Sequence, residues 1–354
     1  MGNIEELAQV ARALVAPGRG ILAADESSGT IKRRFDAIGV ESTEDNRRAY
    51  RELLFRTPGA AAFISGVILY DETIRQNGAE GSPLSQVLSD QGVMPGIKVD
   101  MGAMPLAGAE GELVTEGLDG LRARFAEYKT LGARFSKWRA VICIGENMPS
   151  AYAIEVNAHA LARYAALSQE AGIVPIVEPE VLMDNSMGGA IGDHSIERCY
   201  EVTRDTLREV FAQLARQRVA YEGMLLKPNM VLSGKTAPDR APATEVARMT
   251  VDCFMESVPA AVPGIVFLSG GQPDGEATIN LHEINVYAAT VRAPWQLSFS
   301  FGRGLQAAPQ QAWAGKTENV AAAQQAFYHR AKVSSAAREG RYSLEMEKEA
   351  APVG

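Results

Sequence analysis

Apolar runs rich in β-branched residues alternate with helical stretches along the chain. The helical stretches, such as "GLDGLRARFAEYKTLG" and "NAHALARYAALSQEAG", carry apolar residues at helical spacing and close on glycine. The runs that predict strands cover residues 20–25, 61–69, 96–102, 133–142, 174–181, 223–231, 264–270 and 296–302. Strands that alternate with helices indicate a parallel sheet, and a count of eight favours an α/β fold closed into a single (β/α)₈ TIM barrel. An open doubly wound sheet is the alternative.

The domain organisation is predicted to be simple. No linker rich in proline, glycine and serine divides the chain, so residues 1–342 are expected to form one catalytic barrel domain. The tail over 343–354 is charged and lacks periodicity, which predicts a mobile end. The segment 183–194, "MDNSMGGAIGDH", follows the fifth strand and is rich in glycine and turn residues. Loops at that end of a barrel usually carry function.

Charge and cysteine content narrow the class of protein. The chain of 354 residues has a formal net charge of -8, which argues against a nucleic-acid or anionic-membrane surface, because both require a cationic field. Cys143, Cys199 and Cys253 are widely spaced and form no CxxC pattern, so neither a disulfide framework nor a thiolate metal site is indicated. With no signal peptide and no apolar run of membrane-spanning length, a cytoplasmic location is predicted.

Polar side chains interrupt the predicted strands, most of them near the carboxyl end. Asp25 ends the first strand and Ser269 lies in the seventh. Other polar residues form pairs two positions apart, namely Lys98 with Asp100, Lys137 with Arg139, Glu178 with Glu180, Lys227 with Asn229, and Ser298 with Ser300. Because strand side chains alternate between faces, both members of a pair are expected to share one face. Structural ion pairs are one explanation, but buried ion pairs stabilise poorly compared with apolar packing, so the set favours an active site.

Lys227 stands inside the apolar run "MLLKPNMV", where an unpaired ammonium group is costly to bury. A lysine amine must be uncharged to attack a ketone carbon. Apolar neighbours, together with like charge from Lys137 and Lys98, favour the uncharged amine at this position. The alternative is a purely structural pair between Lys227 and Glu180, which would keep the lysine charged and inert.

Glycine-rich loops indicate that the ligand carries phosphate. "FLSGGQPDG" and "FSFGRG" follow the seventh and eighth strands, after which barrels frequently bind phosphate. Glycine lets backbone N–H groups approach phosphate oxygens, and Arg303 can make a bidentate pair with them. A second basic cluster, "TIKRR", opens the helix after the first strand, and its alternative explanation is a solvated helix face. If both clusters bind, the ligand has a phosphate at each end.

The motifs "GILAADESSGTIKRR", "GIKVDMGAMPLAG", "FSKWRAVICIGE", "GIVPIVEPEVL", "GMLLKPNMVLSG", "FLSGGQ" and "SFSFGRGLQ" together resemble those of the Schiff-base (class I) fructose-bisphosphate aldolases, over residues 4–342. The resemblance implies a (β/α)₈ barrel, no metal or other cofactor, and a homotetramer. It also implies reversible cleavage of fructose 1,6-bisphosphate to dihydroxyacetone phosphate and glyceraldehyde 3-phosphate, as in glycolysis and gluconeogenesis. Many relatives have a lysine where this chain has Met101, and animal members end in a tyrosine where this chain ends "APVG".

By resemblance, Lys227 is the Schiff-base lysine, Glu178 the main acid/base and Glu180 its partner, while Asp25 and Lys137 handle carbon–carbon cleavage. The implied substrate-binding residues are Lys98, Arg139, Ser269, Gly270, Ser300, Gly302 and Arg303, with Arg33 and Arg34 at the other phosphate. An imine nitrogen acts as an electron sink, and Glu178 is the predicted acid for loss of water. Either Asp25 or Glu178 could accept the hydroxyl proton during cleavage, and Lys137 would stabilise the developing negative charge.

Three alternatives remain open from the sequence. A metal-dependent aldolase or epimerase needs clustered ligands, but none of His159, His194, His282 and His329 falls on a predicted strand end. A Schiff-base aldolase or transaldolase acting on another ketose phosphate keeps the chemistry and changes the substrate. A non-catalytic scaffold on the same barrel is the third, since fold alone does not imply function.

Overall fold

Parallel strands close into a barrel in the computed structural model, which describes residues 3–348. The strands are β1 (Gly20–Ala24), β2 (Ile64–Leu69), β3 (Met94–Lys98), β4 (Gly102–Pro105), β5 (Leu113–Glu116), β6 (Phe135–Ile142), β7 (Val174–Val181), β8 (Leu225–Leu226), β9 (Gly264–Phe267) and β10 (Gln296–Phe301). Around the barrel the order is β1, β2, β3, β6, β7, β8, β9 and β10, which pairs again with β1. The predicted (β/α)₈ barrel is confirmed, and the open sheet is excluded.

Helices connect the strands and surround the barrel. They are α1 (Ile4–Leu14), α2 (Ser28–Asp36), α3 (Glu44–Phe55), α4 (Asp71–Ile74), α5 (Leu84–Ser89), α6 (Leu121–Thr130), α7 (Ala151–Glu170), α8 (Ile196–Arg216), α9 (Ala243–Ser257), α10 (Asp274–Val291), α11 (Arg303–Trp313) and α12 (Val320–Arg338). Side-chain oxygens begin several of them: Thr43 accepts from Asn46 N at α3, and Ser150 accepts from Ala153 N at α7. Such caps satisfy N–H groups that have no partner within the helix.

An antiparallel hairpin of β4 and β5 stands outside the barrel and was not predicted. Its register pairs Gly102 with Glu116 and Pro105 with Leu113. The predicted third strand over 96–102 was therefore wrong at its end, because the barrel strand stops at Lys98 and the chain turns into the hairpin. Helix α10 was also not among the stretches singled out. Its apolar residues are spread around the helix, with Ile284 buried and Val286 exposed, so helical periodicity is weak there.

Strand β8 is much shorter than the predicted strand over 223–231. The ladder between β7 and β8 pairs only Ile176 with Leu225 and Val177 with Leu226. One more hydrogen bond follows, from Lys227 N to Val177 O at 2.8 Å. Beyond it, Pro179 and Pro228 have no N–H to donate, so the ladder cannot continue between these two segments.

The barrel interior is filled at its amino-terminal end by a core that includes helix α1. Leu7, Ala11 and Leu14 of α1 belong to the same buried cluster as Phe135 of β6. The Phe135 ring lies over the neighbouring strand β3 because its register partner there is Gly96, where a Cβ atom would lie 2.3 Å from the ring. This packing closes the amino-terminal end and leaves the carboxyl end open for a site.

Part of the predicted mobile tail is described. Leu344–Glu347 forms a single 3₁₀ turn, in which Glu347 pairs with Arg330 of α12 and accepts from the Tyr342 hydroxyl at 3.2 Å. Residues 349–354 lie outside the described part of the chain, so the mobility of the tail remains a prediction, as does the single-domain boundary at residue 342.

Candidate active site

A cleft of about 830 Å³ opens at the carboxyl end of the barrel. Side chains from all eight barrel strands, or from the residues directly after them, line it. Every residue that the sequence singled out for catalysis or binding lies along this cleft: Asp25, Arg33, Arg34, Lys98, Lys137, Arg139, Glu178, Glu180, Lys227, Ser269, Gly270, Ser300, Gly302 and Arg303. Their individual roles depend on which of these side chains contact one another.

Glu178 lies between two lysines at the centre of the cleft. Its Oε1 is 3.1 Å from Lys227 Nζ, and its Oε2 is 3.3 Å from Lys137 Nζ. All three side chains are nearly inaccessible to solvent, at about 4% exposure each. A carboxylate held this close to a buried amine can exchange a proton with it and with a ligand atom bonded to it.

Lys137 is held in its charged form by the carboxylates around it. Its Nζ lies 2.6 Å from Asp25 Oδ2 and 3.7 Å from Asp100 Oδ2, in addition to Glu178. Burial lowers the pKa of Lys137, but the carboxylates of Asp25, Glu178 and Asp100 outweigh that effect and the pKa is raised. Burial likewise opposes ionisation of Asp25, yet the ammonium groups of Lys137 and Lys227 hold its pKa well below its usual value. The two groups therefore form a persistent ion pair.

Glu180 pairs with Arg139 and not with Lys227. The Arg139 Nε donates to Glu180 Oε2. Burial lowers the pKa of Arg139, and the Glu180 carboxylate more than compensates, so the guanidinium remains charged. The alternative that paired Lys227 with Glu180 is wrong in its partner, because the β7–β8 register, which pairs Ile176 with Leu225 and Val177 with Leu226, brings Glu178 and not Glu180 beside Lys227.

A cradle for an anion follows β9 and β10. Gly270 and Gly271 both have positive φ, at 51° and 84°, which turns the backbone beside Ser269 towards the cleft. Helix α11 begins at Arg303, so its amino-terminal N–H groups face the same space. The Ser300 hydroxyl is buried there and has no hydrogen-bond partner among residues 3–348. An unpaired buried hydroxyl beside free N–H groups is suited to a phosphate oxygen.

The two arginines of the "TIKRR" cluster differ in their surroundings. Arg33 donates to Thr30 Oγ1 at 3.4 Å. Within the described chain neither Arg33 nor Arg303 forms a salt bridge, although the charge of Arg303 acts on the Asp274 carboxyl group. Arg34 is paired with Glu26, a buried residue of the loop after β1. Free guanidinium groups attract phosphate most strongly, so Arg33 is the more available of the pair.

Several residues near the site were missed or left unassigned by sequence reasoning. Glu26 accepts from Gln306 Nε2 at 2.6 Å as well as from Arg34, and nothing in its sequence context marks it. Asp100 was noted as a strand-end residue but given no role. Its Oδ1 lies 2.6 Å from Lys98 Nζ, and its Oδ2 accepts from Arg139 N at 3.2 Å.

The glycine-rich segment 183–194 lies against the β4–β5 hairpin at the cleft wall. Gly189 N donates to Gly111 O at 2.8 Å, and a Cβ at Gly188 would lie 2.6 Å from the same oxygen. Met187 lines the cleft, with its sulfur 3.9 Å from an Arg139 nitrogen. The segment thus forms part of the cleft wall beside the Arg139–Glu180 pair, and the glycines are needed for its close approach to the hairpin.

One of the five sequence pairs does not share a face. Lys227 lines the cleft, whereas Asn229 turns outward and hydrogen-bonds to Thr203 of α8. Strand alternation fails here because the chain has left the ladder after Leu226. Ser298 does point inward but lies deeper than Ser300, where its hydroxyl donates to Arg19 O at 2.8 Å.

Within residues 3–348, no group of His, Cys, Asp and Glu side chains is arranged to hold a metal ion. Of the helices described, none combines the length and apolarity needed to cross a bilayer.

The Asp25–Lys137 pair predicts a pH-dependent contribution to stability. Because the folded-state pKa of Asp25 is lowered, its stabilising contribution is present above the unfolded-state pKa of about 3.9 and is lost as pH falls below it. We therefore expect the free energy of unfolding of the wild-type protein to decrease, relative to that of Asp25→Asn, as the pH falls from about 5 to 3. Urea unfolding at several pH values measures this, with the exposed Asp239→Asn as control. A difference that does not change with pH would contradict the prediction.

Comparisons with known proteins agree with the geometry of the site. The family model described as "Fructose-bisphosphate aldolase class-I" matches residues 6–353. A probable fructose-bisphosphate aldolase class 1 from Xanthomonas campestris is 57% identical over 341 residues, covering 96% of this chain and 99% of that protein. The cytosolic fructose-bisphosphate aldolase 5 of Arabidopsis thaliana is 52% identical over 339 residues, covering 96% and 92%. Among solved structures, the fructose-bisphosphate aldolase of Plasmodium falciparum, crystallised with TRAP and a small-molecule inhibitor, matches with a TM-score of 0.92, 46% identity and 96% coverage of both chains.

Proposed function

The chain belongs to the class I fructose-bisphosphate aldolase family, and from this premise we propose that Lys227 is the residue that forms the Schiff base. The activity is the reversible cleavage of fructose 1,6-bisphosphate to dihydroxyacetone phosphate and glyceraldehyde 3-phosphate through a lysine imine. The observation that carries the assignment is the contact of 3.1 Å between Lys227 Nζ and Glu178 Oε1 inside a closed barrel. Among the cleft lysines, Lys137 has three carboxylate neighbours, whereas Lys227 and Lys98 have one each, and Lys227 is the more buried of these two, at 4% against 16% side-chain exposure.

Imine formation needs a proton donor beside the amine. Lys227 Nζ attacks the ketone carbon, and the resulting carbinolamine must lose its hydroxyl as water. Glu178 lies within hydrogen-bond reach of Nζ, so it can deliver the proton that leaves with that hydroxyl. The nitrogen then carries a positive charge and can accept an electron pair from the adjacent carbon skeleton.

Cleavage breaks the bond between the third and fourth carbons and moves its electrons to the imine nitrogen, leaving an enamine on Lys227. The hydroxyl on the fourth carbon must lose its proton at the same time, so that an aldehyde is released. Asp25 is a weak base because its pKa is lowered, and its Oδ2 is occupied by Lys137. We therefore assign the proton to Glu178 and give Asp25 the task of holding Lys137, whose charge stabilises the departing oxygen.

The two ends of the substrate are assigned to the two basic regions. The Ser269–Gly270 loop, Ser300 and the start of α11 at Gly302 and Arg303 support binding of one phosphate. Arg33 and Arg34 support binding of the other, with Arg139 and Lys98 along the sugar between them. Fixing both ends orients the scissile bond over Lys227, which lowers the entropic part of the barrier.

Trapping of the imine tests the proposal directly. The protein is incubated with dihydroxyacetone phosphate, reduced with borohydride, digested and analysed by mass spectrometry. We expect one modified lysine, at position 227. No adduct, or an adduct on Lys137 or Lys98, would contradict the assignment. A control with chelator present should give the same yield, because the proposed chemistry uses no metal or other cofactor. Equal turnover of fructose 1-phosphate and the bisphosphate would instead favour another ketose-phosphate substrate.

We also propose that the protein acts in the cytoplasm as a homotetramer. The support is the family itself, together with cytosolic relatives in Arabidopsis thaliana and Spinacia oleracea. Its substrates are small sugar phosphates, and neither nucleic acid nor membrane is proposed as a partner. Light scattering on the purified protein measures the number of subunits, and a monomer or dimer at micromolar concentration would contradict the tetramer.

A further inference from the structure

Two prolines remove the backbone link between the strands that carry the central residues. Pro179 lies between Glu178 and Glu180 on β7, and Pro228 directly follows Lys227. Neither has an N–H, so after the bond from Lys227 N to Val177 O the two segments cannot exchange further ladder hydrogen bonds at these positions. Backbone hydrogen bonds between these two segments therefore fix Lys227 beside Glu178 only on the amino-terminal side of the prolines, unless another connection follows.

Asn229 supplies a connection at this place. Its Oδ1 accepts from Val181 N at 3.0 Å, and so takes a β7 donor that lies beyond the proline gap. Its Nδ2 donates to Met230 O at 3.0 Å and to Thr203 Oγ1 of α8 at 3.1 Å. The side chain is 4% exposed and its amide is satisfied on both sides. This buried amide therefore ties the segment after Lys227 to the end of β7 and to α8 at the position nearest to Lys227, while Lys235 N to Met183 O and Leu232 N to Cys199 Sγ connect the same segment further along.

We propose that Asn229 is a positioning residue for the reaction, which sets the separation between Lys227 Nζ and Glu178 Oε1 by replacing the ladder that the prolines interrupt. This proposal rests on the assignment of Lys227 as the Schiff-base residue. Asn229 does not line the cleft and does not touch the substrate. Its effect is exerted through Lys227 and Glu178, whose proton transfer depends on a hydrogen-bond distance that a small shift would lengthen.

A matched control exists at the opposite end of the same strand. Gln169 of α7 is also a buried amide, 9% exposed, and like Asn229 it accepts from one backbone N–H and donates through its amide nitrogen. It accepts from Ala220 N at 2.9 Å and donates to Ala220 O at 2.8 Å and to Gly223 O at 3.1 Å. It braces the chain before β8 at the amino-terminal end of the barrel, away from the cleft. Loss of its hydrogen bonds removes a similar amount of stabilisation without acting near Lys227.

The test compares Asn229→Leu with Gln169→Met in the full-length protein. For Asn229→Leu, we expect the rate of borohydride-trappable adduct formation with saturating dihydroxyacetone phosphate to fall about 100-fold, because small misplacements of reacting groups have effects of that size. Affinity for inorganic phosphate is expected to change by less than about twofold, since the anion cradle does not contact Asn229. Gln169→Met should form adduct at the wild-type rate even if its melting temperature falls.

Thr203→Val provides a second variant if Asn229→Leu does not fold. It removes one of the two acceptors on α8, the other being Cys199 Sγ at 3.8 Å from Asn229 Nδ2, and the bonds to Val181 N and Met230 O remain. Adduct formation is then expected to slow by about fivefold, the effect of one neutral hydrogen bond. An adduct rate within twofold of wild type in a folded Asn229→Leu, or in Thr203→Val, would overturn the proposal. If instead the wild-type protein gives no adduct at Lys227, the Schiff-base assignment itself is contradicted. This outcome differs from one in which wild type forms the adduct and the Asn229 variants form it equally fast, which contradicts only the role of Asn229.

Discussion

Replacing Lys227 with methionine is expected to lower kcat for fructose 1,6-bisphosphate cleavage by at least about 10⁴-fold, because no covalent intermediate can form without the amine. Methionine is of similar length and apolar, so it fills the volume between Leu226 and the cleft. Glu178 keeps Lys137 as a charged neighbour at 3.3 Å, so the substitution leaves no isolated buried carboxylate. Steady-state kinetics and phosphate binding are the measurements, and phosphate affinity should survive.

The control for Lys227→Met is Lys235→Met, since Lys235 follows the same strand but is exposed and does not line the cleft. It should retain wild-type kcat. The catalytic and the purely structural explanations of Lys227 predict different outcomes. A folded Lys227→Met protein that binds phosphate and does not turn over supports the catalytic role. Loss of fold and of phosphate binding together would indicate that Lys227 serves only the structure, and near-normal turnover would remove it from the mechanism.

Glu178→Gln is expected to lower kcat by about 10²- to 10⁴-fold, the usual contribution of a general acid or base. The amide keeps the shape and can still accept a hydrogen bond, but it cannot donate the proton that leaves with water or accept one from the substrate hydroxyl. KM should change by less than about threefold, because Glu178 is assigned to proton transfer and not to phosphate binding. Burst kinetics with borohydride trapping measure which half of the reaction slows.

Glu180→Gln provides the comparison, because Glu180 is paired with Arg139 and not with Lys227. Its main effect is expected on KM, through a loosened Arg139 beside the sugar, with a smaller decrease in kcat. If Glu180→Gln decreases kcat more than Glu178→Gln does, then the acid/base assignment should be reversed.

The positions of the site residues could be predicted from the sequence, because a barrel brings all strand carboxyl ends to one mouth. Asp25, Lys137, Glu178 and Lys227 interrupt otherwise apolar strands near those ends, and the structure places them within one cleft. The glycine-rich loops were predictable for the same reason. Each depends only on alternation along a strand and on the order of strands.

Which charged groups pair could not be predicted. Strand register aligns the Arg139 Cα with the Glu178 Cα, yet the Arg139 side chain binds Glu180 and leaves Glu178 to the lysines. Such choices depend on strand tilt and on the directions of long side chains, which have no signature in sequence. The Glu26–Arg34 pair depends in addition on a contact with Gln306, separated by 280 positions.

The hairpin and the short β8 were missed for a different reason. In the run 96–102, apolar Ile97, Val99 and Met101 alternate with polar Lys98 and Asp100, and this alternation continues past the point where the barrel strand ends at Lys98. At β8 the information was present, since Pro179 and Pro228 both lack an N–H, but it takes effect only when these two residues become neighbours in space. Whether a ladder is interrupted depends on both paired segments, so the sequence of either segment alone does not predict it.

Helix α1 fills the floor of the barrel with Leu7, Ala11 and Leu14, and this has a consequence for the order of the catalytic cycle. Among residues 3–348 this packing closes that end, so both three-carbon fragments must depart by the route through which the hexose arrived. If Lys227 is the Schiff-base residue, as proposed, the fragment bonded to it cannot move until its imine is hydrolysed, and hydrolysis needs water to reach the place that the free aldehyde occupies. The aldehyde therefore leaves first, and in the synthetic direction it arrives last.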